Sequence, residues 1–111
     1  MIPSLYARYL DERTDDKIIE TLRGFASYRR LPNNQMYIVD IYVLPEYRNT
    51  GVAASLANMI CEKAKEVGCT ELIGTVNPSC KKATESIMVL IAYGMKVSAS
   101  TENCIIFKKE I

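Results

Sequence analysis

The chain has 111 residues and a mass of 12.5 kDa, the size of one domain around a single core. Fourteen basic residues stand against thirteen acidic ones, and a net charge of +1 sets up no field that would recruit nucleic acid or an anionic membrane. With no histidine in the sequence, Ser-His-Asp triads, Cys-His pairs and His-ligated zinc are excluded.

Met1-Ile2-Pro3-Ser4-Leu5 lacks a basic region followed by an apolar one, so it does not read as a secretory signal. Leu5–Leu10 and Lys17–Leu22 read as two strands joined through Arg13–Asp16, because a later hairpin offers them a sheet to join. The alternative is a helix capped at Thr14-Asp15-Asp16, with Ile18, Ile19 and Leu22 inward and Gly24 beyond its end. Gly24–Leu31 reads as a strand, Pro32-Asn33-Asn34 as a turn, and Met36–Leu44 as the partner strand, ended by Pro45. Apolar residues hold both parities of 36–44, which predicts a central strand covered on both faces.

Ala53, Leu56, Ala57, Ile60, Ala64 and Val67 then recur at helical spacing, which predicts a helix over about 51–67 capped by Gly68. Glu71–Val76 is a further strand, closed by Asn77-Pro78. A second helix follows over about 80–93, with Ala83, Ile87, Leu90 and Ile91 inward and Gly94 as its cap. Met95–Ser98 and Cys104–Phe107 complete the chain as short strands. The pattern is an α/β mixture on one sheet. No apolar run reaches the roughly 18 residues that a membrane span needs. Cys61, Cys69, Cys80 and Cys104 form no CxxC pair and have no metal-site spacing. Reduced thiols in a cytoplasmic protein, with no bound metal, are therefore expected.

The segment Val43–Ala53 carries the chemistry. A strand ends and a short loop runs straight into a helix whose first turn is Gly51-Val52-Ala53. The first N–H groups of a helix have no intrahelical partner, and that end carries about half a positive charge. The small residues let a phosphate approach the backbone, and Arg48 can add a charge-assisted contact. The plain alternative is a tight connection that uses its glycine only to turn. The pattern is not a P-loop.

These residues also carry a family resemblance. Arg48-Asn49-Thr50-Gly51-Val52-Ala53 resembles the R/Q-x-x-G-x-G/A signature of the GNAT acetyltransferase superfamily, and Asp40–Tyr47 resembles that family's fourth strand and its exit. The likeness runs through Asn77 and the second helix to Gly94-Met95, covering roughly 23–111. It implies a single acetyltransferase domain over 1–111, with a mostly antiparallel sheet whose strands at 36–44 and 71–76 splay apart. It also implies acetyl-CoA as cofactor, with the pyrophosphate on the amides of Arg48, Asn49, Thr50, Gly51, Val52 and Ala53. The pantetheine arm would pair with the edge at Ile41, Tyr42 and Val43, and Asn77 would touch it; an Asn-Pro turn is the other reading of Asn77.

The resemblance further implies an N-acetyltransferase in which an amine attacks the thioester directly. Asp40 is the candidate general base; many relatives place a glutamate one residue earlier, where this chain has Val39. Burial would raise the Asp40 pKa, letting it act directly or through a water. Glu46, in the exit loop, reads as solvated. A backbone N–H near Val43 would serve the thioester oxygen. The family's usual acid is a tyrosine where this chain has Leu90, and Tyr93 lies on another helical face. Tyr28, Tyr37 and Tyr42 either line a substrate channel or pack the sheet.

Fewer than twenty-five residues precede Gly24, where the family has a strand and two helices forming one wall of the acceptor site. A large acceptor or a second subunit, as in a homodimer, is expected to supply that wall. The competing reading is a non-catalytic CoA-binding or interaction module, favoured by Leu90 and the short front.

Overall fold

The computed structural model describes residues 3–111. Ser4 starts the first element. Its hydroxyl accepts from the Ala7 N–H at 3.0 Å and caps helix α1, Leu5–Arg13. Along α1, Tyr6 and Tyr9 stack at 6.5 Å and the Arg13 guanidinium lies 5.7 Å over the Tyr9 ring. These are helical neighbours three and four residues apart, and they correct the strand reading of 5–10. The 14–22 helix alternative is also wrong. Thr14 ends α1, and Lys17–Glu20 is a strand, β1.

Strand β2, Gly24–Leu31, and strand β3, Gln35–Val43, form the expected hairpin. Asn33 and Asn34 turn it with φ of 66° and 60°, a region in which asparagine is several-fold enriched. A short 3-10 turn, Pro45–Tyr47, leads to helix α2, Val52–Glu66. Strand β4, Glu71–Val76, helix α3, Ala83–Ala92, and strands β5, Lys96–Ser100, and β6, Ile105–Glu110, follow. The sheet order is β1-β2-β3-β4-β6-β5, and only β3 and β4 run parallel.

One face of this sheet, the inner face, holds the core. Leu56, Ile60 and Ala64 of α2 pack on Ala26, Met36, Ile38, Leu72 and Phe107, and Ile87 and Leu90 of α3 join them. Tyr28, partly buried, also packs here. Helix α1 lies on the opposite, outer face, where Tyr6 meets Phe25 edge-on at 6.2 Å. At the ends of the stripes, Val67 and Ile91 are exposed rather than inward. Val67 is the residue at which α2 stops, and α3 is covered only along Ala83, Ile87 and Leu90. Helix α3 also starts later than expected. Its approach is spent in turns, with the Cys80 N–H on the Asn77 carbonyl at 3.0 Å and Lys82 at φ 63°.

Strand β3 is not covered on both faces. Ser27 faces Asp40 but Tyr28 faces Ile38, so Val39 is an extra residue, a β-bulge. A one-residue slip exchanges the faces of everything beyond it. Met36 and Ile38 point inward before the bulge, and Ile41 and Val43 point inward after it. Asp40 and Tyr42 are thereby turned to the outer face, both exposed. The two-parity apolar run is the trace of this slip. The four cysteines are unpaired, and no described helix is long and apolar enough to cross a membrane.

Candidate functional site at the splayed strands

Strands β3 and β4 pair only over Gln35–Tyr37 and Glu71–Ile73. Beyond Tyr37 and Ile73 the two strands run on without pairing each other, which leaves one edge of Ile41–Val43 open toward β4. The cleft opens toward the loop that starts α2. That loop is held from below: the Leu44 N–H donates to the Arg23 carbonyl at 2.9 Å, and the Thr50 hydroxyl donates to the Tyr47 carbonyl. Asn49 has φ 62° and Gly51 has φ 87°. Gly51 is the N-cap of α2 with no side-chain cap, and a Cβ there would meet nothing within 4 Å. The glycine is thus required by backbone conformation, not by crowding. Val52 and Ala53 form the first turn of α2, so their N–H groups have no intrahelical partner. The Arg48 guanidinium turns back, with Nε donating to the Val43 carbonyl at 3.0 Å and its carbon 5.7 Å from the Tyr42 ring centroid.

On the other side of the cleft, the Asn77 side-chain oxygen accepts from the Ser79 N–H at 2.9 Å, the geometry of the Asn-Pro turn. Its amide N–H groups make no hydrogen bond among the described residues. Leu90 closes the inner wall. Its Cδ2 would lie 3.3 Å from a Cβ placed on Gly74, so it brings apolar cover and no proton. Tyr93 points elsewhere: its hydroxyl donates to Asn58 Oδ1 of α2 at 2.7 Å. Burial raises the Tyr93 pKa, and Cys61 and Glu62 add to that.

The outer wall is more polar. Asp40 stays open to water, unlike the buried carboxylate expected, because the bulge turns it away from the core. Its pKa is nonetheless raised, first by partial desolvation and then by the charge of Asp16. Asp16 is itself buried and accepts from Arg29 Nε at 2.6 Å. Tyr42 stacks on Phe25 at 5.7 Å, beside a shallow cavity of about 210 Å³ that also reaches Leu44. The Tyr37 hydroxyl meets the Thr75 hydroxyl at 2.8 Å. Asp16 and Thr75 were not singled out from sequence. The usable signal for Thr75 is its parity, since it is the polar residue facing away from Leu72, Gly74 and Val76.

The chain has relatives in sequence and in fold. The bovine (Bos taurus) thialysine N-epsilon-acetyltransferase is 30% identical over 86 residues, which cover 78% of this chain; the chain spans 50% of the length of that enzyme. A PaiA N-acetyltransferase from Thermoplasma acidophilum, solved with coenzyme A, superposes with a TM-score of 0.75 at 18% identity, over 94% of this chain and 66% of its own. A GNAT acetyltransferase from Elizabethkingia anophelis with acetyl-CoA bound gives 0.75 at 14% identity, over 99% of this chain and 92% of its own. The model of the acetyltransferase (GNAT) family matches residues 5–85, from the start of α1 past the cleft and into α3, and by that match the chain belongs to the GNAT acetyltransferase family.

Proposed function

We propose that this chain binds acetyl-CoA and transfers its acetyl group to an amine. The observation that carries the reading is the junction at 49–53. Two residues of positive φ bring an uncapped helix start to the mouth of an unpaired strand edge. These residues suit the cofactor: the amides of Asn49 to Ala53 can take a diphosphate, the Arg48 N–H being held by the Pro45 carbonyl at 3.3 Å, and the edge at Ile41–Val43 can pair with an extended amide-bearing arm. Asn77 has amide N–H groups to spare for that arm. Bound acetyl-CoA supplies an acyl group activated as a thioester.

The chain's own work is to orient the acceptor and manage protons. An ammonium is not nucleophilic until it loses a proton. Asp40, on the outer wall beside Tyr42, accepts that proton directly or through a water. Its raised pKa makes it a better base than an ordinary aspartate. The base must be ionised to act, so kcat rises with pH through that raised pKa. The acceptor enters from the outer face, where α1 provides a partial wall. The name of the bovine relative supports an amine at the end of a flexible chain. A homodimer completing the remaining wall, in a reducing cytoplasm that keeps the four thiols free, belongs to the same proposal.

The second reading is a CoA-binding module without catalysis, favoured by the apolar Leu90 on Gly74. Thermal shift separates these ideas from a ligand-free protein: millimolar coenzyme A raises Tm if the loop binds it, and an unchanged Tm removes both. Thiol release against an amine panel then divides enzyme from module. Asp40→Asn is expected to lower kcat about 10²-fold and to flatten the acid limb of the pH profile. Its Tm should hold or rise slightly. A carboxyl whose pKa is raised on folding costs stability as pH climbs through that window, and the amide escapes this cost. Full turnover in Asp40→Asn assigns the base elsewhere.

A further inference from the structure

We infer that the Tyr37 hydroxyl, held by Thr75, protonates the departing thiolate in place of the tyrosine that Leu90 replaces. The inference rests on the acetyl-transfer reading and concerns the step that reading leaves without a proton donor.

The argument begins with where the strands part. Tyr37 and Ile73 are the last paired residues of β3 and β4. Thr75 lies two residues past Ile73, hence on the same face, and Tyr37 is on that face because Met36 and Ile38 point into the core. The 2.8 Å contact between the hydroxyls therefore bridges the two strands at the apex of the cleft, on its outer side. A ligand anchored by its diphosphate at 48–53, with its arm running back along Val43 to Ile41, directs its reacting end toward that apex. Asp40 shares the face, separated from Tyr37 by the bulge at Val39. Acid and base then flank one reacting centre on the wall the acceptor reaches. Leu90, on the opposite side of the sheet, adds no polar group.

Two further contacts fit this role. Arg29 is the cross-strand partner of Tyr37, and its guanidinium is fixed by the buried carboxylate of Asp16 at 2.6 Å. The pair keeps Arg29 in place on the same outer face as the phenol. Thr75 has one hydroxyl to give and lone pairs to accept, so it can orient the phenol with its proton toward the cleft.

The step balances. The acceptor nitrogen forms a bond to the thioester carbonyl carbon while the carbon–sulfur bond breaks. The sulfur takes the bond pair and the Tyr37 proton. The ammonium releases two protons in all: one restores the phenol, and the other leaves to solvent through Asp40.

Tyr37→Phe keeps the ring and removes the hydroxyl. The expected result is a kcat about 10²-fold lower, with the calorimetric Kd for coenzyme A within about twofold of wild type. Thr75→Val should lower kcat about threefold to tenfold, and Thr75→Ser should restore it, because Thr75 acts here as a positioning residue. The inference is overturned if Tyr37→Phe keeps kcat within about twofold. It is overturned equally if activity falls only in step with Tm and coenzyme A affinity, which would make the hydroxyl pair a strand tie. Failure of wild type to bind coenzyme A or to release thiol would instead remove the acetyl-transfer reading, and this inference with it.

Discussion

Helices α2 and α3 lie on the same face of the sheet and start in the same unusual way. Each begins at a residue of positive φ with no side-chain cap, Gly51 at 87° and Lys82 at 63°. Their packing then diverges. Helix α2 buries Leu56, Ala57, Ile60 and Ala64, whereas α3 buries Ala83 alone. Partly buried Ile87 and Leu90 add to its hold, and its end is tied by the Tyr93 hydroxyl on Asn58 and by Lys109 Nζ donating to the Tyr93 carbonyl at 3.0 Å. The same uncapped start therefore has different consequences. On α2 it is anchored by four buried side chains, so the 51–53 turn sits on a firmly held helix. On α3 it heads a more lightly packed element, with Ala83 as its one buried side chain.

The sharpest way to break this contrast is to empty the α2 anchor. Ile60 is fully buried in a core that draws residues from four strands. Ile60→Ala should cost about 2–5 kcal/mol in denaturant unfolding and weaken coenzyme A binding as the loop loses its footing. A loss below about 1 kcal/mol would mean α2 is no better anchored than α3.

The next effect isolates the loop itself. A Cβ on Gly51 meets nothing within 4 Å, so Gly51→Ala tests backbone conformation without a clash. The left-handed region costs a non-glycine residue about 1–2 kcal/mol, which should be lost from stability. Coenzyme A affinity should fall further than stability does, because relaxing the strain turns the 51–53 amides. Calorimetry and chemical denaturation on the same protein give the two numbers.

Much of this contrast is visible in the sequence. Leu56, Ala57, Ile60 and Ala64 repeat at helical spacing, and the Gly51 turn ahead of them marks the loop. The α3 side reads less well. Its run from Ile87 to Ala92 is apolar in every position, so periodicity cannot say which side is covered, and Ile91, which the spacing puts inward, is 56% exposed. The bulge at Val39 was illegible for a related reason. Ile and Val on both parities resemble a doubly buried strand, and only the pairing of Ser27 with Asp40 and Tyr28 with Ile38 exposes the slip. The placement of Asp40, Tyr42 and Tyr37 on one wall depends on that slip. Helix α1 was missed because its tyrosines suit a strand as well as a helix, and the deciding signal was a single capping serine at position 4.

The smallest effect tests the other half of the contrast. Ile91 is as apolar as Ile60 and lies in a helix on the same face of the sheet, yet more than half of its surface is in water. Removing its methyl groups leaves no cavity, because solvent already occupies that side, so the cavity cost that dominates at Ile60 is absent. Alanine is also the better helix former, with an advantage of a few tenths of a kcal/mol over a β-branched residue. The two small terms oppose each other, and Ile91→Ala should shift unfolding by no more than about 0.5 kcal/mol in either direction. Coenzyme A affinity should stay at the wild-type value, since Leu90 rather than Ile91 packs toward Gly74 on the cleft wall. A loss approaching that of Ile60→Ala would mean that this exposed ridge is covered in solution. Repeating the unfolding over a range of protein concentrations would then show whether a second copy covers it, because a dimer's midpoint rises with concentration and a monomer's does not.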